Sequence, residues 1–208
     1  RFIATAGHDQ RSYLWESDTG QLWQTFHGHT DSINYLEFHP CSNLLASGSA
    51  DGIVRLWQLD CLAEDRSGNQ LPYDQPTAVI QAHPTVFYDA AICANGRLLT
   101  TVGSDRHVRF WDLTQNEYPE QMALQKTVEE PGEEDILSVA FSPDGSNIAP
   151  GGSRVIHIWH INKSDPLMIL RQHTLSILSL TYDPTGKLLA SGSSDGTVCL
   201  WGIAVGAL

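Results

Sequence analysis

The chain has 208 residues, and its 12 basic side chains against 24 acidic ones give a formal net charge of −12. Such a surface repels phosphate backbones and anionic lipids, which argues against nucleic acid or a membrane as the general partner. Hydrophobic residues make up 41% of the chain, enough for a packed core. No apolar run reaches the roughly 18–20 residues of a membrane span, and the opening residues do not predict a secretory signal.

The four cysteines, Cys41, Cys61, Cys93 and Cys199, show neither a CxxC pair nor the spacing of a disulfide framework. Free thiols in a reducing compartment and disulfides in a secreted protein are both compatible with them, and free thiols are favoured. We therefore expect an intracellular protein, either cytoplasmic or nuclear.

One pattern occurs five times along the chain: an apolar run, small residues, a polar turn and an alternating run that ends in tryptophan. In chain order its copies are Arg1–Trp15, Asn43–Trp57, Arg97–Trp111, Ser146–Trp159 and Gly186–Trp201. Two copies carry Asp-Gly at the turn, which is a strong hairpin signal between β-type runs. Each copy therefore predicts a pair of antiparallel strands.

The repeated tryptophans lie 42, 54, 48 and 42 residues apart, and a unit of about 40–45 residues is typical of a four-stranded propeller blade. An alternating strand precedes each of the last four hairpins, and an outer strand follows each of the first four. No segment has helical periodicity with capping signals. The sequence thus predicts an all-β fold of four-stranded antiparallel blades, with surface loops at Cys61–Pro76 and within Gln115–Asp135. The approximate repeats are 1–26, 27–82, 83–128, 129–171 and 172–208.

Four side chains recur at fixed places in the units: a His before the inner strand, a Ser or Thr four residues before a turn Asp, that Asp, and the Trp. The sets are His29/Ser47/Asp51/Trp57, His83/Thr101/Asp105/Trp111 and His173/Ser191/Asp195/Trp201, and the first unit supplies Thr5, Asp9 and Trp15. A carboxylate at a packed turn is costly unless it is paired, so each His is expected to satisfy an Asp. In the fourth unit Gly132, Ala149 and Ser153 stand at the expected places of His, Ser/Thr and Asp.

This array resembles the WD-repeat family of β-propellers over essentially the whole chain. The resemblance implies that each complete set forms a hydrogen-bonded relay joining the hairpin turn, the inner strand and the third strand. The sequence departs from the family pattern in detail, because only Trp111-Asp112 is a literal Trp-Asp and only Gly28-His29 a literal Gly-His at the relay histidine.

Rings of this family usually close by completing one blade from both ends of the chain. The two ends of this chain supply three strands each, with the histidine of the first unit expected before Arg1, so they do not complement each other. We therefore expect about five repeats of a seven- or eight-bladed ring. A ring completed by another chain and an irregular five-bladed closure are the alternatives.

The recurrence of Ser or Thr with His and Asp also suggests a hydrolase triad. An active site is ordinarily built once, whereas this set is repeated with a tryptophan each time, so a structural role is favoured. His157 and His160 fall on opposite faces of a strand, and neither thiolate pairs nor a phosphate-binding loop occur. We expect no catalytic residues, no metal site and no cofactor.

The resemblance implies a non-catalytic scaffold for protein–protein interaction within a multi-subunit complex. The alternative is the regulatory or substrate-recruiting part of a longer polypeptide whose catalytic domain lies outside this segment. The candidate partner-binding residues lie beside the turn Asp positions and in the acidic segment before the fourth inner strand. They are His8, Gln10, Arg106, Arg154, Glu129, Glu130, Glu133, Glu134 and Asp135. The acidic segment is a candidate docking site for a basic segment of a partner.

Overall fold

The structure, a computed structural model, describes residues 1–59, 75–114, 124–129, 135–163 and 165–203. Within these ranges eighteen strands form five antiparallel sheets, and no helix occurs. The predicted all-β fold with incomplete first and last units is confirmed. The number of blades in a complete ring and the repeat boundaries stay predictions. Most of the two predicted surface loops lies outside the described residues.

Each sheet is a meander in which every strand pairs with its neighbour in chain order. The first sheet contains β1 (Phe2–Ala6), β2 (Ser12–Glu16) and β3 (Leu22–Phe26). The second contains β4 (Ile33–Phe38), β5 (Leu44–Ser49), β6 (Ile53–Gln58) and β7 (Ala78–Gln81). The third contains β8 (Phe87–Ile92), β9 (Leu98–Gly103), β10 (His107–Asp112) and β11 (Leu124–Glu129). The fourth contains β12 (Ser138–Phe141), β13 (Asn147–Gly151), β14 (Val155–His160) and β15 (Pro166–Arg171). The fifth contains β16 (Ile177–Tyr182), β17 (Leu188–Ser193) and β18 (Val198–Gly202).

The hydrophobic core lies between neighbouring sheets. Four clusters of buried apolar side chains join the first sheet to the second, the second to the third, the third to the fourth and the fourth to the fifth. Phe87 of β8 lies so close to β5 that a Cβ added to Gly48 would be 2.3 Å from its ring. The small-residue step in the repeated pattern therefore makes room for a large side chain of the next sheet.

The first strands of the last four sheets (β4, β8, β12 and β16, called the inner strands here) contact one another in chain order. Edge N–H groups of these strands donate to carboxylates of the preceding sheet, Ile92 to Glu37 at 3.2 Å and Val139 to Asp89 at 3.1 Å. The Ser138 hydroxyl also donates to Asp89, at 3.0 Å. Burial raises the pKa of Asp89 to about 6. These side chains satisfy backbone groups that an edge strand leaves unpaired.

Candidate functional site

The second sheet contains the complete set of four side chains in hydrogen-bond contact. Trp57 Nε1–H donates to Ser47 Oγ at 2.9 Å, and Ser47 Oγ lies 2.8 Å from His29 Nε2. His29 Nδ1 lies 3.1 Å from Asp51 Oδ2. With the imidazole proton on Nδ1, each group donates a hydrogen bond to the next one in the order Trp57, Ser47, His29 and Asp51. The hairpin of β5 and β6 is thus joined to the residues that precede β4.

The same geometry occurs in the third and fifth sheets. His83 lies 2.9 Å from Asp105 and 3.1 Å from Thr101, which accepts from Trp111 at 3.0 Å. His173 lies 3.1 Å from Asp195 and 2.7 Å from Ser191, and Ser191 accepts from Trp201 at 2.8 Å. The structure therefore brings together all four residues of each set predicted for these sheets.

Burial and hydrogen bonding set the charges in these contacts. Burial lowers the pKa of His29 and of His83, because an imidazolium ion is costly away from water. Burial acts to raise the pKa of Asp51, but hydrogen bonds from the Thr30 N–H and from His29 lower it overall. A neutral imidazole next to an ionised carboxylate at neutral pH follows from these directions.

Two arginines on the third strands also contact the carboxylates, and sequence reasoning missed them. Arg109 donates to Asp105 at 2.7 Å, and the Arg55 guanidinium lies 3.7 Å from Asp51. In the fifth sheet the Thr197 hydroxyl donates to Asp195 instead, at 2.5 Å. The signal was present in the sequence, since both arginines lie four residues after the turn Asp and two before the Trp.

The first sheet holds part of this arrangement. Trp15 Nε1–H donates to Thr5 Oγ1 at 2.8 Å, as in the other sheets. Asp9 accepts a hydrogen bond from the Tyr13 hydroxyl at 2.6 Å and one from the Arg11 N–H at 3.3 Å. Thr5 and Asp9 are exposed.

The fourth sheet corrects the predicted alignment of its unit. Val139 pairs with Pro150, just as Leu36 pairs with Ser47, so Pro150 and not Ala149 occupies the Ser/Thr position. Counting back from Ser153 gave the wrong residue because four residues, rather than five, lie between the strand partners Gly151 and Ile156. Gly132 lies outside the described residues.

The buried hydroxyls of the complete sets are poorly suited to attack a substrate. Ser47 and Thr101 are 0% exposed and Ser191 is 1% exposed, and each contacts both a tryptophan and a histidine. A nucleophile must reach the reacting carbon of its substrate, so this geometry fits a role in stability. Among the residues that the structure describes, no group of three His, Cys, Asp or Glu side chains could hold a metal ion.

The predicted partner-binding residues that the structure describes lie at the rim formed by the hairpin turns and the segments before the inner strands. His8 Nδ1 is 2.7 Å from Ser32 Oγ, which joins the first hairpin turn to the segment before β4. Gln10 and Arg106 occupy the same position in their respective hairpin turns, and their φ angles are 65° and 62°. Glycines hold the matching position in the second and fifth sheets, with φ angles of 81° at Gly52 and 83° at Gly196.

The remaining rim residues are partly engaged with one another. Arg106 lies 3.7 Å from Glu129, and Asp135 accepts a hydrogen bond from the Tyr88 hydroxyl at 2.8 Å. Arg154 is exposed at the hairpin turn of the fourth sheet. Glu130, Glu133 and Glu134 lie outside the described residues.

The described part of the chain contains no helix long and apolar enough to cross a membrane.

Comparison with known proteins supports the repeat interpretation. The family model described as "WD domain, G-beta repeat" matches residues 20–58, 74–112, 123–160 and 164–202, well over half of the chain. Pre-mRNA-processing factor 19 of Oryza sativa subsp. japonica is 26% identical over 200 residues, covering 96% of this chain and 35% of that protein. Protein ROOT INITIATION DEFECTIVE 3 of Arabidopsis thaliana is 30% identical over 211 residues, covering 96% of this chain and 45% of that protein.

A third relative, target of rapamycin complex subunit wat1 of Schizosaccharomyces pombe, is 26% identical over 211 residues, covering 97% of this chain and 60% of that protein. The chain therefore spans between about a third and three fifths of the length of these relatives. The four matched repeats and the antiparallel sheets lead to the same conclusion. The chain belongs to the WD-repeat family of β-propeller proteins.

Proposed function

We propose that this chain is a non-catalytic protein-interaction scaffold that works inside a multi-subunit, intracellular complex. The family membership and the names of relatives such as the target of rapamycin complex subunit support this assignment. The buried hydroxyls support the non-catalytic part of the proposal, because they stabilise the sheets and are shielded from substrates. Five stiff sheets hold the rim residues in fixed positions, which lowers the entropic cost of binding a partner.

The observation that carries the proposal is the backbone conformation of Gln10 and Arg106. A left-handed φ angle costs a residue with a Cβ about 1–2 kcal/mol, and glycine avoids this cost. Both side chains are kept at a turn position where two other sheets have glycine. Backbone strain of this kind is found most often at functional positions such as ligand-contact sites. We assign His8 and Arg154 to the same surface because they lie at equivalent turns.

The test compares the wild-type chain with a Gln10→Gly/Arg106→Gly variant in affinity capture from an extract of the source organism, followed by quantitative mass spectrometry. The variant should unfold at the same or a higher temperature, because backbone strain is removed, and should lose most of the proteins recovered with wild type. Val79→Thr is the matched control, since Val79 is exposed on β7 and the change preserves strand propensity.

Two outcomes would reject the proposal. If the glycine variant recovers the same proteins as wild type, the rim is not the contact surface. If the wild-type chain recovers no more proteins than an unrelated propeller does, the scaffold function itself is wrong.

The acidic segment supports a second contact on this rim, with a basic segment of the partner. Glu129 is exposed at the end of β11, and Asp135 begins the next described range. Charge reversal of Glu133 and Glu134 should weaken binding of the main recovered partner, most strongly at low salt. Affinity that ignores both the reversal and a salt series would rule out this contact.

The exposed face of the fifth sheet supports the proposal that further sheets complete a ring. Val198 and Leu200 are 75% and 71% exposed, whereas their counterparts Val54 and Leu56 in the second sheet are 0% and 3% exposed. The counterparts are covered by the third sheet. A sixth sheet of the same kind would cover Val198 and Leu200 in the same way, which fits a seven- or eight-bladed ring.

A further inference from the structure

The outer strand of the fourth sheet, β15, has an apolar face that is exposed. Among the described residues β15 pairs only with β14 and lies at the end of its sheet. Met168 and Leu170 pack toward the fifth sheet, whereas Leu167 and Ile169 point the opposite way and are 36% and 46% exposed. Described sheets flank the fourth sheet on both sides, so an end of the chain does not cause this exposure.

The equivalent face of β11, the outer strand of the third sheet, is polar. β10 and β14 pair with their outer strands in the same register, with the same shift before the tryptophan. This alignment places Gln125 at the position of Leu167 and Thr127 at the position of Ile169, and both polar side chains are exposed. Strand edges that face solvent are ordinarily protected by polar or charged residues. An edge with large apolar side chains is a template for pairing with another strand.

The sequence of β15 is complementary to itself in an antiparallel pair. When Met168 of one copy pairs with Met168 of a second copy, Leu167 lies opposite Ile169. In the same register Asp165 lies opposite Arg171. These four side chains share the exposed face, because alternate residues of a strand point to the same side. Apolar pairs and opposite-charge pairs across two strands are both stabilising, and two-fold symmetry makes each pair occur twice.

The two ends of the strand fix this register. Asp165 and Arg171 are exposed, and neither forms an ion pair with another described residue. Pro166 restricts Asp165 to extended backbone, so the alternation of β15 continues through it. A proline is tolerated here because it is the first residue of an edge strand. A register shifted by two residues would set Leu167 opposite Arg171 and would separate Asp165 from its partner.

We propose that β15 is the contact strand of a homodimer, in which two copies of this chain pair their fourth sheets antiparallel about Met168. The two four-stranded sheets then become one continuous sheet. The apolar pairs exclude water along one face, and the ion pairs select the register and the direction. None of the contact residues belongs to the rim set described above, so either proposal can fail without the other. The dimer presents two rims at once, which raises the avidity for a partner with repeated sites.

Sedimentation velocity of the purified protein tests the proposal. The concentration runs from about 5 to about 500 µM, because a contact of this size is weak. Salt at about 0.15 M screens the repulsion between two chains that each carry a charge of −12. Wild type should show an equilibrium between monomer and dimer. Ile169→Lys should raise the dissociation constant of the dimer at least about tenfold, because a lysine replaces one member of both apolar pairs.

Thr127→Lys is the matched control, since it places the same side chain at the equivalent position of β11. It should leave the dissociation constant of the dimer unchanged. Both positions are exposed, so both variants should melt within about 3 °C of wild type.

A charge exchange tests the register. Asp165→Arg and Arg171→Asp should each weaken the dimer by about threefold to tenfold, because each places like charges opposite each other. The double variant should return to within about twofold of wild type, since opposite charges face each other again.

Three outcomes would overturn the proposal: a wild type that stays monomeric over the whole range, a dimer that Ile169→Lys leaves intact, and a double variant without recovery. If wild type is monomeric and Ile169→Lys loses a protein in affinity capture, β15 binds a strand of a different protein and not a second copy. The Gln10→Gly/Arg106→Gly variant should dimerise as wild type does, which keeps the rim and the dimer contact distinguishable.

Discussion

His83 Nδ1 lies 2.9 Å from Asp105 Oδ1, although 22 residues separate the two in the sequence. This contact ties the turn between β9 and β10 to the residues that precede β8, so one side-chain pair fixes three strands of the sheet. The equivalent pairs in the second and fifth sheets have the same geometry, at 3.1 Å each. The pair stabilises only while both partners are present, since the survivor is left without its hydrogen bond.

Asp51→Ala should therefore lower the free energy of unfolding by about 1–3 kcal/mol, because it leaves the buried His29 without its acceptor. Ser153→Ala in the fourth sheet is the matched control and should change stability by less than about 0.5 kcal/mol. Urea unfolding followed by tryptophan fluorescence measures both. Equal losses would contradict the assignment of Asp51 to a relay.

Two adjacent threonines of β9 should respond oppositely to the same substitution. Among the described residues, the buried Thr100 hydroxyl has no hydrogen-bond partner, so Thr100→Val should raise stability by about 1 kcal/mol. Thr101→Val should lower it by about 1–3 kcal/mol, because Trp111 and His83 lose their shared partner. Differential scanning calorimetry measures the melting temperatures of the two variants. Shifts of the same sign would refute the predicted opposite effects.

Acidification should destabilise the protein through His83. The pKa of this imidazole is lower in the folded state than in the unfolded chain, so the unfolded chain takes up a proton first as pH falls. Stability from this group is complete above the unfolded pKa of about 6.5 and is lost as pH falls from there toward the folded pKa. His83→Gln should show a flatter dependence of the urea midpoint between pH 7.5 and 5.5, and an unchanged slope would count against a neutral buried imidazole.

Asp89 should act in the opposite direction. Its pKa is raised to about 6, so the folded state holds this proton more tightly than the unfolded chain, whose pKa is near 3.8. The contribution of Asp89 to the free energy of unfolding therefore increases as pH falls through 6, and it is complete below about 3.8. The stability of wild type relative to Asp89→Asn should rise by about 1–3 kcal/mol between pH 7.5 and 4.5. A difference that stays constant over this range would show that the carboxyl is not perturbed.

Gly48 and Gly192 should differ although they hold the same strand position. Gly48→Ala should lower stability by about 1–3 kcal/mol, since the added Cβ would lie 2.3 Å from the Phe87 ring. Gly192→Ala should be nearly neutral, because no atom of the described residues lies within 4 Å of the added Cβ. Comparable losses in thermal melts would mean that the fifth sheet is covered in solution.

The sequence predicted most of the fold because the same information is written five times. Trp15, Trp57 and their counterparts mark the third strands, and alternation marks the strands around them. The spacing of His, Ser or Thr, and Asp was sufficient to group the side chains that meet in three sheets. Repetition made each weak local signal specific.

The rest depends on geometry that local patterns do not encode. Pro150 was missed because a turn shortened by one residue shifts the count from Ser153. In the sequence Arg55 and Arg109 cannot be distinguished from ordinary strand residues, because only the fold brings them against carboxylates. The bond from Ser138 to Asp89 joins residues of different sheets, and its existence depends on how the sheets are stacked.

The placement of buried side chains between neighbouring sheets determines where the protein unfolds first. The buried apolar side chains lie between sheets, so the stability of each sheet depends on the clusters that it shares with its neighbours. The second, third and fourth sheets share two clusters each, and the first and fifth share one each. Amide hydrogen exchange should therefore be slowest in the third sheet, β8 to β11. It should become faster in the sheets nearer to each terminus.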